Sequence, residues 1–192
     1  MDFCYKKTKM SSGWLEIIIG PMFSGKTSKL VSFYKHNKIA EIPTCVINYY
    51  EDTRYCESGM STHDNITIPC VMASTITSII ENKSLIEKTE AFIINEGQFF
   101  PDLFEGVKIL LNKYKKRIYV CGLDGDFKMQ KFGTILDLIP LCDKVEKLVA
   151  ICTICKSRAP FTKRLSNESE QKVIGSKNYI PVCRSCHKEH SS

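Results

Sequence analysis

No stretch of this 192-residue chain reaches the roughly 18 unbroken apolar positions that a membrane helix needs, so neither a spanning segment nor a membrane partner is expected. Lys6, Lys7 and Lys9 are not followed by an apolar segment, which argues against a secretory leader and makes cytoplasmic residence the default. There is no low-complexity tract, and no internal repeat beyond two CxxC pairs. Acids do not balance bases: 27 Lys and Arg stand against 21 Asp and Glu, a formal net charge of +6. That excess favours polyanionic ligands without naming one. The densest basic run, Lys113, Lys115, Lys116 and Arg117, closes an expected helix, where cations suit the dipole.

What is present reads as a globular protein, with 43% hydrophobic and 25% charged residues. Residues 1–14 are polar and aperiodic, and a loose arm is expected there. Strands and helices then alternate. Strands are expected over 15–19, 44–49, 91–94, 117–121 and 144–151. Helices are expected over 26–38, from a Ser74 cap towards Asn82, and from Pro101 to about Lys113. This order predicts an α/β fold, a P-loop-type mostly parallel sheet with helices on both faces. After Ile151 the helical periodicity fades and a small cysteine-bearing domain is expected. The organisation expected is thus an arm (1–14), an α/β domain (15–150) and a small domain (151–192).

Three features carry chemistry. Gly20-Pro21-Met22-Phe23-Ser24-Gly25-Lys26-Thr27 fits G-x-x-x-x-G-K-[ST] between an apolar strand and an amphipathic helix. Its amides and the helix N-terminus suit phosphate oxygens, Lys26 can reach the β- and γ-phosphates, and Thr27 can join a Mg²⁺ shell. A nucleoside triphosphate is therefore expected. Glu96 is the first ionisable residue after the apolar strand 91–94, at the strand end where ligands of open α/β sheets bind. It could hold a metal or accept a proton from an attacking nucleophile. Asp52 and Arg54 follow another strand, where Asp52 could support the metal and Arg54 could neutralise charge on a transferring phosphoryl group.

Cys152, Cys155, Cys183 and Cys186 form a CxxC…CxxC set, and four thiolates suit a closed tetrahedral Zn²⁺ site. His187 and His190 remain alternative ligands. The Cys183-Arg184-Ser185-Cys186-His187 run also fits the haem attachment motif, although the upstream pair and the lack of an export signal count against it. The other six cysteines are expected as thiols, because disulfides are disfavoured in a reducing compartment. A zinc-ribbon protein with a nucleic-acid-stimulated ATPase domain is an alternative, but no basic-aromatic stripe supports nucleic acid as a partner. A kinase acting on a nucleoside monophosphate is another, but the extra arginines needed for the acceptor phosphate are not found near Glu96.

Together these residues resemble the type II thymidine kinases, cellular and large-DNA-virus enzymes built on a P-loop domain with a zinc-bearing lasso. The likeness spans roughly residues 14–186. It includes Gly20–Thr27, Asp52-Thr53-Arg54-Tyr55, Thr62-His63-Asp64, Glu96-Gly97-Gln98-Phe99-Phe100, Leu123-Asp124-Gly125 with Phe127, Phe132-Gly133 and Thr162-Lys163-Arg164. The resemblance implies transfer of the γ-phosphoryl group of ATP to the 5′-hydroxyl of thymidine. It implies Glu96 as the general base, Asp52 as metal support and Arg54 on the phosphate side. Met22, Phe99, Leu123, Phe127 and Phe132 are implied around the base. A lasso from Thr162 to Tyr179 would read the base edge, with Gln171, Lys172, Val173, Ile174 and Gly175 among its contact positions. Zinc would be structural, and a homotetramer is implied. Asn95 stands where the family usually has Asp; its carbonyl could accept from a Mg²⁺-bound water. Gln171 stands where the family often has an aliphatic residue.

Overall fold

The structure is a computed structural model that describes residues 12–52, 59–61, 67–173, 175 and 178–189. The expectations on most of the N-terminal arm, on Arg54 and its Asp-Thr-Arg-Tyr run, on Thr62-His63-Asp64, and on Ile174 and His190 lie outside those residues.

Strand β1 (Trp14–Ile19) leads through the glycine loop into helix α1 (Lys26–Ile39). Strand β2 (Thr44–Tyr49) follows, then the short antiparallel pair β3 (Gly59–Ser61) and β4 (Thr67–Pro69), and strand β5 (Val71–Ala73). Helices α2 (Ile76–Glu81) and α3 (Lys83–Lys88) precede β6 (Ala91–Ile94), and α4 (Leu103–Asn112) precedes β7 (Arg117–Gly122). A 3-10 segment, Ile135–Leu141, leads to β8 (Lys144–Lys147). The six-stranded sheet runs β5-β2-β6-β7-β1-β8, and its pairings are parallel.

Side-chain alternation explains why both faces are covered. Leu15, Ile17, Ile19, Phe92, Ile94, Ile118 and Val120 point into one core with α2, α3 and α4. Ile18, Val46, Ile93, Tyr119 and Cys121 point to the other face, against Leu30 and Val31 of α1. The central strands are buried on both sides, so they read as apolar runs. On α4, Leu103, Val107 and Leu110 are fully buried, each contributing about 1.5–3 kcal/mol relative to exposure.

Several boundaries differ from the sequence reading. Thr75, not Ser74, caps α2, its Oγ1 accepting from Ser78 N at 3.3 Å. That helix is also capped from across the fold, because the Asp102 carboxylate accepts from Ile76 N and Thr77 N at 2.9 and 2.8 Å. Helix α4 accordingly starts at Leu103, two residues after Pro101. The expected strand 144–151 is split into β8 and β9 (Ala150–Ile151), with Leu148 N bonded to Ile19 O at the break. Ala150 belongs to a separate small core with Cys152, Ala159, Val182 and Cys186. That unit also contains β10 (Arg158–Ala159), β11 (Phe161–Arg164), β12 (Tyr179–Val182) and α5 (Arg184–Glu189).

Candidate active site

Strands β1, β2, β6 and β7 deliver their carboxyl-end loops to one cavity of about 320 Å³. The glycine loop forms its floor. Phe23 and Gly25 adopt left-handed backbone angles, φ 62° and 84°, which curl the loop ahead of α1. Lys26 is buried and donates from Nζ to Pro21 O at 2.6 Å, while Ser24 Oγ donates to the same carbonyl at 2.8 Å. Of the eight loop residues that the sequence assigns to phosphate, Met22, Phe23, Ser24, Gly25, Lys26 and Thr27 line the cavity; Gly20 and Pro21 do not, and Pro21 O accepts from Lys26 and Ser24 instead.

Glu96 sits at the end of β6 with φ 54°, a left-handed conformation that a glutamate rarely takes and that clusters at functional sites. Its Oε2 accepts from Gln98 Nε2 at 2.7 Å, and Gln98 Oε1 accepts from Leu123 N at 2.9 Å. Gln98 is buried, so it fixes the carboxylate relative to the end of β7. Two glycines make room for it. A Cβ on Gly122 would lie 2.2 Å from Gln98 Oε1, and one on Gly133, itself at φ +58°, 2.3 Å from Gln98 O. Asp52 is buried and lines the same cavity.

Asn95 does not line the cavity. It is 1% exposed; its Nδ2 donates to Asn48 Oδ1 at 2.8 Å and its Oδ1 accepts from Cys121 Sγ at 3.1 Å. Burial thus turns it behind the site. Asn48 in turn donates to Asp52 O at 3.4 Å, which ties Asn95 to the Asp52 loop.

The opposite wall is aromatic. Phe99 and Phe132 meet edge to face with centroids 5.4 Å apart, and Tyr49 lies 5.3 Å from Phe99. Phe127 and Leu123 complete this side, as the resemblance implies. Above it runs the segment between β11 and β12. At its root on β11, Thr162 Oγ1 accepts from Met22 N at 3.0 Å, fastening that strand to the glycine loop. Gln171, Lys172, Val173 and Gly175 line the cavity from it, and Tyr179 does so from the start of β12.

Sequence reasoning named no role for several residues that hold this strap. Arg164 stacks its guanidinium 3.8 Å above Phe127 and donates to the carbonyls of Glu168, Glu170 and Gln171. It also donates to Tyr179 Oη, which donates onward to Val173 O at 3.0 Å. Its place in the Thr162-Lys163-Arg164 run was the one available signal. Asp126, buried and lining the cavity, carries no such signal, whereas Gln98 stands in the Glu96–Phe100 run without a role named for it.

The strap is rooted in the cysteine cluster. The four Sγ atoms of Cys152, Cys155, Cys183 and Cys186 lie within 4.8 Å of one another. Tetrahedral Zn²⁺ with Zn–S of about 2.3 Å requires sulfur separations near 3.8 Å, which this set can meet. Charge supports the fit. Burial, then the neighbouring thiols Cys183, Cys155 and Cys152, pushes Cys186 up, the direction expected where sulfurs crowd together with no cation among them. Cys155 is held below its ordinary value by hydrogen bonds from Ser157. His187 is not a member of the cluster; its Nε2 lies 2.9 Å from Phe127 O and so connects α5 to the aromatic wall.

A glycine loop ahead of a helix, a strand-end carboxylate beside it and an open parallel sheet define the P-loop α/β class, whose glycine loops hold nucleoside triphosphates. Comparison with known proteins is more specific. The model of the thymidine kinase family matches residues 13–187, and the chain belongs to that family of kinases. It is 42% identical over 177 residues to the thymidine kinase of Yaba monkey tumor virus, covering 92% of this chain and 95% of that protein. It is 41% identical over 179 residues to that of Myxoma virus (strain Uriarra), covering 93% and 98%. It is 40% identical over 181 residues to the cytosolic thymidine kinase of Bos taurus, covering 94% and 74%.

Proposed function

We propose that this chain is a thymidine kinase that transfers the γ-phosphoryl group of ATP to the 5′-hydroxyl of thymidine, giving thymidine monophosphate. The reading rests on one juxtaposition: the glycine loop, Asp52 and Glu96 share a single cavity with an aromatic wall and a backbone-rich strap. The loop amides and Lys26 cradle the triphosphate. Phe99, Phe127 and Phe132 bound a planar base, and strap amides and carbonyls meet its edge. Glu96, oriented by Gln98, accepts the proton of the incoming primary alcohol. Arg54 is assigned to the phosphate side on the family resemblance.

Thr27 and Asp52 are the residues that would hold Mg²⁺, which offsets charge on the phosphoryl oxygens when bound. Asn95 would act on this pair through Asn48. Zn²⁺ on the four cysteines would be structural, anchoring the strap. No helix among the described residues is long and apolar enough to cross a membrane. The cytoplasmic placement rests on the name of the cytosolic Bos taurus relative, and the homotetramer on the family resemblance alone. The test incubates the protein with ATP, Mg²⁺ and each deoxynucleoside. Thymidine monophosphate should form. ATP turnover stimulated by DNA and not by thymidine would refute the assignment.

A further inference from the structure

Two neighbouring strap residues reach in different directions. Gln171 Nε2 donates to Asp126 Oδ2 at 2.7 Å and to Lys131 O at 3.2 Å, in the loop that follows β7. Lys172 Nζ donates to Tyr49 Oη at 3.1 Å and to Glu51 Oε2, at the end of β2. The ammonium also lies 4.5 Å from the Tyr49 ring centroid and 5.4 Å from that of Phe99. Glu51 is held in turn by Tyr50, whose hydroxyl donates to Oε1 at 2.6 Å. The strap is thus tied to two separate loops of the sheet across the cavity that both residues line.

We propose that Gln171 and Lys172 are a two-sided clasp that holds the strap backbone at base-reading distance, with the Glu51–Lys172 ion pair as its decisive half. The proposal rests on the kinase reading for the base that the strap meets and for its kinetic consequence; the clasp contacts themselves do not. Asp126 is already fixed, its Oδ1 accepting from Lys128 N and Gln130 N at 2.8 and 2.9 Å, so Gln171 meets a rigid partner. The other tie depends on charge. Glu51 and Lys172 side chains are 35% and 32% exposed, and Glu51 touches no other described cation. The pair is therefore worth little as bulk stability, since partly exposed ion pairs contribute modestly. What it fixes is the position of the strap backbone at Gln171, Lys172 and Val173. Glu51 and Lys172 are positioning residues: they act on the acceptor through the strap, not on the reacting atoms.

The test is a charge swap read in two ways. Glu51→Lys and Lys172→Glu, made singly, should each raise the thymidine KM about fivefold, the scale of a partly exposed ion pair with its cation–π contacts. The ATP KM should move less than twofold. The double variant should recover the share of the loss that the ion pair carries, and not the share of the Lys172 contacts with Tyr49 and Phe99. The second readout needs no substrate: amide hydrogen exchange across residues 165–173 should quicken in each single variant and slow again in the double. Recovery in the double variant separates a clasp from general damage to the fold. A double variant no better than its worse single, or single variants with unaltered strap exchange, would overturn the clasp. If strap exchange behaves as stated but thymidine is not phosphorylated by the wild-type protein, the clasp stands and the acceptor assignment fails.

Discussion

At the scale of single residues, the site is built from side chains that aim one another. Glu96 carries the proposed chemistry, but Gln98, with Gly122 and Gly133 making room, decides where its carboxylate points. Gln98→Met should therefore lower kcat about ten- to a hundredfold, the scale of a misplaced catalytic group, with smaller changes in either KM. A rise in thymidine KM with unchanged kcat would contradict this. Asn95 belongs to the supporting layer. Its amide is buried between the neutral Asn48 and Cys121 side chains, so Asn95→Asp would place a carboxylate among uncharged partners and should cost about 2 kcal/mol of stability. Thermal unfolding measures it, and an unchanged or higher Tm would place the side chain somewhere less enclosed. The clasp has a pH signature. Hydrogen bonds from Lys172, then Tyr50, hold Glu51 below the usual carboxylate range. A depressed carboxylate keeps its tie above its unfolded value and loses it as pH falls through the folded one. Partial burial works against Lys172, but contacts with Glu51 and Tyr49 raise it, so that side of the tie is lost only in strong alkali. The clasp's contribution to thymidine KM should thus be constant near neutrality and disappear at the acid end. Glu51→Gln should abolish this acid-limb term.

At the scale of elements, β1, β2, β6 and β7 supply the loops that meet, and the small cysteine unit supplies the strap. Strands were legible because the sheet is parallel and covered on both faces, so each central strand is an apolar run bounded by polar residues. The glycine loop was legible because its chemistry fixes residue types at fixed spacing. The strap's packing was not, since Arg164, Asp126 and His187 act across long sequence separations that periodicity cannot register. The cap of α2 was missed for the same reason: Asp102 comes from a different helix. Because β11 and β12 are held beside the cysteine cluster, metal removal should loosen the strap and spare the sheet. Treatment with a zinc chelator should raise the thymidine KM and expose residues 165–178 to protease, with little change in far-ultraviolet dichroism. Loss of the whole dichroism signal would instead make zinc a condition of folding for the entire chain.

At the scale of the molecule, the parallel sheet brings the glycine loop, Glu96 and the aromatic wall to one cavity, and the cysteine-rooted unit closes over it. The resemblance to the type II thymidine kinases anticipated most residues that line the cavity, including Met22, Phe99, Phe127, Phe132 and Tyr179. It did not anticipate that Asn95 would be buried behind the site, because a side chain's direction at a strand end depends on the partners it finds there, here Asn48 and Cys121. The central claim is that Glu96 and the glycine loop act on one acceptor alcohol held between them. Pre-steady-state and steady-state kinetics of Glu96→Gln with ATP, Mg²⁺ and thymidine test it most directly. The account predicts a kcat lower by about 10²–10⁴, the usual share of a general base, with ATP binding retained. A variant that phosphorylates thymidine at the wild-type rate would contradict it.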